Sequence, residues 1–129
     1  MSEEKVYRQV KFVRPAGATE ILLVRHGESR AASADKPFPL VEGQGDPELA
    51  EAGREQAEKL GQRLANHAID AVYVTNLRRT HETAAPLCRI RNMTPRVVKD
   101  LREVHLGEWE GGLFRIKAHE GHPLIMEMR

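Results

Sequence analysis

The 129 residues hold a single cysteine, Cys88. No internal disulfide can form, and a reducing, cytoplasmic setting is the expectation. Long apolar runs are missing as well. Ile21-Leu22-Leu23-Val24 is the size of a strand, far short of the ~18 residues a membrane helix needs. The opening Met1-Ser2-Glu3-Glu4-Lys5 is charged and leads into no apolar core, so no secretory signal is expected. Nor does one sign of charge dominate, with 20 basic residues against 19 acidic ones and a net charge of +1. On that balance neither nucleic acid nor a membrane is an expected partner, and any anion must be recognised by arginines placed locally. There is no internal repeat and no low-complexity tract. What is there, 40% hydrophobic and 30% charged residues, is a globular mixture of single-domain size.

Residues 1–18 are polar, carry Pro15 and Gly17, and show no period; they read as a lead-in to a domain over 19–129. Thr19–Val24 is unbroken in its apolar run and does not alternate, which predicts a strand buried on both faces. Residues 30–48, punctuated by Pro37, Pro39, Gly43, Gly45 and Pro47, predict a long loop of the kind that carries function. Leu49, Ala52, Gly53, Gln56, Ala57, Leu60 and Leu64 recur every three or four residues and predict a helix from Leu49 to about Asn66. Ile69–Val74 predicts a second buried strand. Thr75 is placed to cap a helix from about Asn76 to about Arg89, which Pro86 should kink or whose boundary it should shift. Arg96–Val98 predicts a third strand, 99–112 a loop, and Leu113–Met128 a helix interrupted at Pro123. Strands alternating with helices predict an α/β fold with a parallel sheet.

Ligands of open α/β sheets bind at the carboxyl ends of strands. Here the first strand runs into Arg25-His26-Gly27 and the second into Thr75-Asn76-Leu77-Arg78-Arg79, at the opening of a helix. If the two strands are neighbours, Arg25, His26 and Arg79 converge. Two guanidiniums and a helix N-terminus beside an imidazole suit a dianionic phosphoryl group. Gly27 would let backbone approach the ligand closely. Two permanent cations would bias His26 to its neutral form, whose lone pair a nucleophile needs.

Taken singly, these residues have plainer readings. His26 alone reads as a packed or surface histidine, and Glu103 as an ordinary loop carboxylate. Arg79 could be a solvated helix-start arginine, although a cation there is unfavourable without an anion nearby. Glu28 contacts substrate or caps the following loop. Arg78 is expected to be an exposed neighbour, Trp109 and Leu106 to pack under their loop, and Cys88 to sit in the core. His81-Glu82 opens like a zinc-protease motif, but Ala85 stands where the second histidine belongs, so no metal is expected. His119 and His122 read as a solvated face.

Together, four segments resemble the histidine phosphatase superfamily, also called phosphoglycerate mutase-like. Leu23-Val24-Arg25-His26-Gly27-Glu28-Ser29 is similar to its nucleophile signature. Gly45-Asp46-Pro47-Glu48-Leu49 with Gly53 and Gln56-Ala57 resembles the approach to its first helix. Thr75-Asn76-Leu77-Arg78-Arg79-Thr80 with Thr83-Ala84 resembles the segment bearing a second arginine. Leu101-Arg102-Glu103 with Gly107-Glu108-Trp109-Glu110-Gly111 resembles the loop bearing an acid. The resemblance implies a three-layer α/β fold, a parallel sheet with helices on both faces. It also implies a phosphomonoester hydrolase acting on a small phosphorylated metabolite without metal or other cofactor. His26 would be the nucleophile, forming a phosphohistidine, and Glu103 the general acid and base. Arg25 and Arg79, with Gly27, Glu28 and Ser29, would bind phosphate. A mutase-type phosphotransferase and a non-catalytic phosphate-binding fragment are the alternatives. Two departures stand out. The family's second active-site histidine, in a Ser-His-Gly-like segment, has no counterpart, since none of His105, His119 and His122 follows a strand-like run. The expectation is a chain truncated before it, with a sheet edge exposed to association, and the alternative is a genuine short protein that forms a homodimer. Ala32 stands where the family often has asparagine, which leaves Ser29 or a backbone N–H to compensate.

Overall fold

The computed structural model describes residues 3–128. Two helices of equal length organise it. Helix α1, Glu51–Leu64, buries Gly53, Ala57 and Gly61, small residues four apart on one face. That face lets a second helix come close: a Cβ on Gly61 would lie 3.0 Å from Leu87 N. Helix α2, Arg78–Arg91, answers with Thr83, Pro86, Leu87 and Cys88. Pro86 lies inside α2 without ending it, and it sits buried at this close approach. Cys88 is in the core as expected, and burial pushes its thiol pKa up.

Thr75 does not cap α2. Its Oγ1 accepts from Leu77 N at 3.2 Å and meets Thr80 Oγ1 at 3.0 Å, which closes a turn before the helix begins. The orphan N–H of Arg78 donates instead to Asp46 Oδ1 at 2.7 Å, so a buried carboxylate from the preceding loop does the capping.

The long loop contains a hairpin. Strand β1, Leu40–Val41, pairs antiparallel with β2, Gln44–Gly45. The turn residues Glu42 and Gly43 both have positive φ, 50° and 79°, as tight hairpins require. Strand β3, Tyr73–Val74, pairs with β4, Arg96–Val97, in parallel, with α2 as the crossover. This is the parallel α/β connection expected, although β3 is two residues long rather than six. Short 3₁₀ turns at Lys99–Leu101 and Gly107–Trp109 shape the next loop, and helices α3, Leu113–His119, and α4, Pro123–Glu127, follow.

The first expected strand is corrected by the structure. Residues 19–24 form no strand, and Leu22 and Leu23 are 46% and 94% exposed. An apolar run becomes a central strand only where neighbours cover both faces; here α1 and α2 bury their small-residue faces against each other. Val10, Phe12 and Val13 in the lead-in are exposed too. Among the described residues the sheet content is two pairs of two-residue strands, smaller than the three-layer arrangement expected. Among the described residues no helix is long and apolar enough to cross a membrane.

Candidate active site

Residues 25–30 form an irregular segment held against both long helices through its backbone. Gly27 N donates to Thr83 Oγ1 of α2 at 2.9 Å, and that hydroxyl donates onward to Arg79 O at 2.6 Å. Glu28 N donates to Gln56 Oε1 of α1, and Glu28 O accepts from Ala50 N, each at 2.9 Å. Arg30 N donates to Glu48 O, and Ser29 bridges to Leu49. A Cβ on Gly27 would lie 2.6 Å from Gly53 O, so packing against α1 requires a glycine there. The reciprocal holds, since a Cβ on Gly53 would collide with Glu28 O. Two glycines from distant segments thus interlock, backbone to backbone.

His26 is half-buried, with Nδ1 2.7 Å from Gly27 O. A carbonyl can only accept, so Nδ1 carries the proton and Nε2 keeps its lone pair. The imidazole pKa is held below its usual value, by burial first. The hydrogen bond to Gly27 opposes this, and the charges of Arg79, Arg25 and Arg115 add to it. Arg25–Ser29, Gln56 and Arg115 line a cleft of about 530 Å³.

Arg79, in the first turn of α2, is half-buried and donates from Nη1 to Gly45 O at 2.8 Å. Burial lowers its pKa, Asp46, Glu110 and Glu103 oppose that, and the guanidinium stays charged. It is not among the residues that line the cleft, but its charge is felt at His26. Glu103 is exposed and outside the cleft lining; its Oε1 accepts from Val104 N at 3.2 Å. Its carbonyl accepts from Gln44 Nε2 at 2.7 Å, which ties the Glu103 loop to the β-hairpin. The structure therefore gathers Arg25, His26, Gly27, Glu28 and Ser29 in one cleft. It sets Arg79 within electrostatic reach and leaves the Glu103 carboxylate turned onto its own backbone.

Three residues escaped the sequence analysis. Arg115, on α3, donates to Ser29 Oγ at 2.9 Å and Arg30 O at 3.0 Å, across 86 and 85 positions. Glu110 accepts from Gly45 N at 2.7 Å and Leu106 N at 2.8 Å, clasping hairpin to loop. Asp46 caps α2 and pairs with Arg78 at 3.2 Å. Glu110 and Asp46 lay inside the motif segments, where their acidity was visible and their partners were not. Nothing local marked Arg115. Trp109 packs on Phe114 and His122, as expected of a residue under its loop. Among the described residues no group of three His, Cys, Asp or Glu is placed to hold a metal ion. The positive charge around His26 comes from guanidiniums.

A sequence model described as the histidine phosphatase superfamily (branch 1) matches residues 21–128. Phosphoserine phosphatase 1 of Hydrogenobacter thermophilus is 35% identical over 96 residues, covering 73% of this chain and 43% of that protein. Phosphoglycerate mutase-like protein 4 of Arabidopsis thaliana is 39% identical over 101 residues, covering 74% and 41%. Among solved structures, a mycobacterial glucosyl-3-phosphoglycerate phosphatase in complex with inorganic phosphate superposes with a TM-score of 0.57 at 32% identity. That match covers 78% of this chain and 45% of the other. The chain spans less than half the length of the curated relatives it matches.

Proposed function

The chain belongs to the histidine phosphatase superfamily, and on that premise we propose that it forms the nucleophile and phosphate-binding part of a phosphomonoester hydrolase acting on small phosphorylated metabolites. One observation carries this: a half-buried His26 with its Nδ1 proton tied to Gly27 O and three guanidiniums in its field. Nε2 attacks phosphorus, forming a P–N bond as the ester P–O bond breaks. Arg25 and Arg79 neutralise the phosphoryl oxygens, which is the larger part of catalysis for this chemistry. Glu103 gives a proton to the departing alkoxide and then takes one from the water that cleaves the P–N bond. Phosphate leaves and His26 is restored. General acid–base help of this kind is worth ~10²–10⁴-fold. From its position on Val104 N, the carboxylate has to turn toward the cleft to act.

The finer architecture, a three-layer sheet with helices on both faces, goes with the same proposal. So does the cytoplasmic setting expected from the lone cysteine. Gln56 and Ser29 complete the cleft wall that the substrate meets.

Hydrolysis of an aryl phosphate by the chain and by His26→Ala tests the mechanism. A fall of at least ~10²-fold in the variant is expected, with acid-labile phosphate on His26 in the parent chain. Equal rates would remove His26 from the chemistry. Phosphate binding without turnover in either protein would favour the non-catalytic reading, which the outward Glu103 supports.

A further inference from the structure

We propose, taking the His26 site as read above, that Arg115 is a third anion-binding residue of that site, gripping phosphoryl oxygens from α3. Its placement is built rather than casual. Nη2 donates to Ser29 Oγ at 2.9 Å and Nη1 to Arg30 O at 3.0 Å, so the guanidinium is fixed at the lip of the 25–30 segment. Those bonds engage two of the five N–H groups a guanidinium carries.

The contrast with Arg30 is informative. Both guanidiniums lie over the buried Phe38 ring, Arg30 at 4.8 Å and Arg115 at 5.6 Å from its centre. Arg30 is neutralised by Glu48 at 3.1 Å. Among the described residues Arg115 has no carboxylate within ion-pair distance, so its charge is left for something else. It lines the His26 cleft and also a second cleft of about 420 Å³, where Ala31, Ala32, Ile116 and His119 stand with the carboxylate residues Glu28 and Glu120. Ala32 brings only a methyl group to that wall, and the free N–H groups of Arg115 supply donors where this side chain cannot. A fork of parallel N–H groups is the geometry that phosphoryl oxygens accept best.

Inorganic phosphate is the probe, its binding followed by titration calorimetry. Arg115→Gln should weaken binding roughly tenfold or more, the loss expected for a charge-assisted hydrogen bond. The His26 ring, followed by NMR, should titrate at higher pH in that variant, as loss of a nearby cation requires, and a ring whose titration does not move would place Arg115 out of reach of the site. Arg115→Lys, keeping charge without the fork, should fall between the two. Should Arg115→Gln not fold, the parent chain decides: saturating phosphate must protect Arg115 from phenylglyoxal, read by mass spectrometry. Unchanged affinity in a folded Arg115→Gln, or full modification of Arg115 under phosphate, overturns the assignment while leaving the His26 site standing. A parent chain that binds no phosphate overturns both.

Discussion

At the scale of single residues, His26 is set by its surroundings. Burial, then Arg79, Arg25 and Arg115, hold its pKa below the ordinary 6.5. The imidazolium has no lone pair, so turnover should fall on an acid limb that lies below this value. Cations disfavour imidazolium, so Arg79→Gln should shift that limb to higher pH, measured as kcat/KM for an aryl phosphate. A limb that does not move would place Arg79 out of reach. Stability follows the same sign. The contribution of His26 is whole above 6.5 and declines as pH falls toward the lowered pKa, because only the unfolded chain then takes up the proton. Urea unfolding of the parent chain should therefore lose ground to His26→Gln across that window and not above it. His26 and Arg79 were legible because each follows a strand-like run in a compact motif. Arg115 was not, since its contact spans 86 positions and no period or spacing announces it.

At the scale of elements, α1 and α2 are clamped at their N-terminal ends by long-range partners. Replacing a helical glycine by alanine ordinarily stabilises by about 1 kcal/mol. Gly53→Ala should do the reverse, by about 1–3 kcal/mol or more, because the new methyl meets Glu28 O. A higher urea midpoint in that variant would refute the contact. Asp46→Ala removes the acceptor for Arg78 N and should cost about 1–2 kcal/mol, with Asp46→Asn costing less. Helix α1 was readable from local periodicity and α2 only through Thr75, which turns out not to cap it, and the ends of neither were readable. Helix α1 begins at Glu51 rather than Leu49 because Leu49 is held in a bridge to Ser29 and Ala50 is still extended, with ψ of 168°. Helix α2 begins at Arg78 because Leu77 is still extended and the cap comes from another loop.

At the scale of the whole molecule, the apolar run at 21–24 shows how far a pattern can inform. The run was visible, but its burial depends on neighbours that no local sequence specifies. With Ile21, Leu22, Leu23 and Val24 in water, the chain should enhance the fluorescence of an apolar dye such as ANS. Leu23→Glu should reduce that signal with the helical circular dichroism unchanged; an equal signal would locate the sticky surface elsewhere. The parallel β3–β4 pair, by contrast, was readable because strand, helix and strand follow one another directly. The mutual fit of Gly27 and Gly53 also constrains how such a protein can change over generations. Each position bars any bulkier successor at the other, so no single mutational step can leave the arrangement without jamming a helix into the loop that presents the imidazole. The rim of the cleft carries no such interlock, and can vary while the paired glycines stay put.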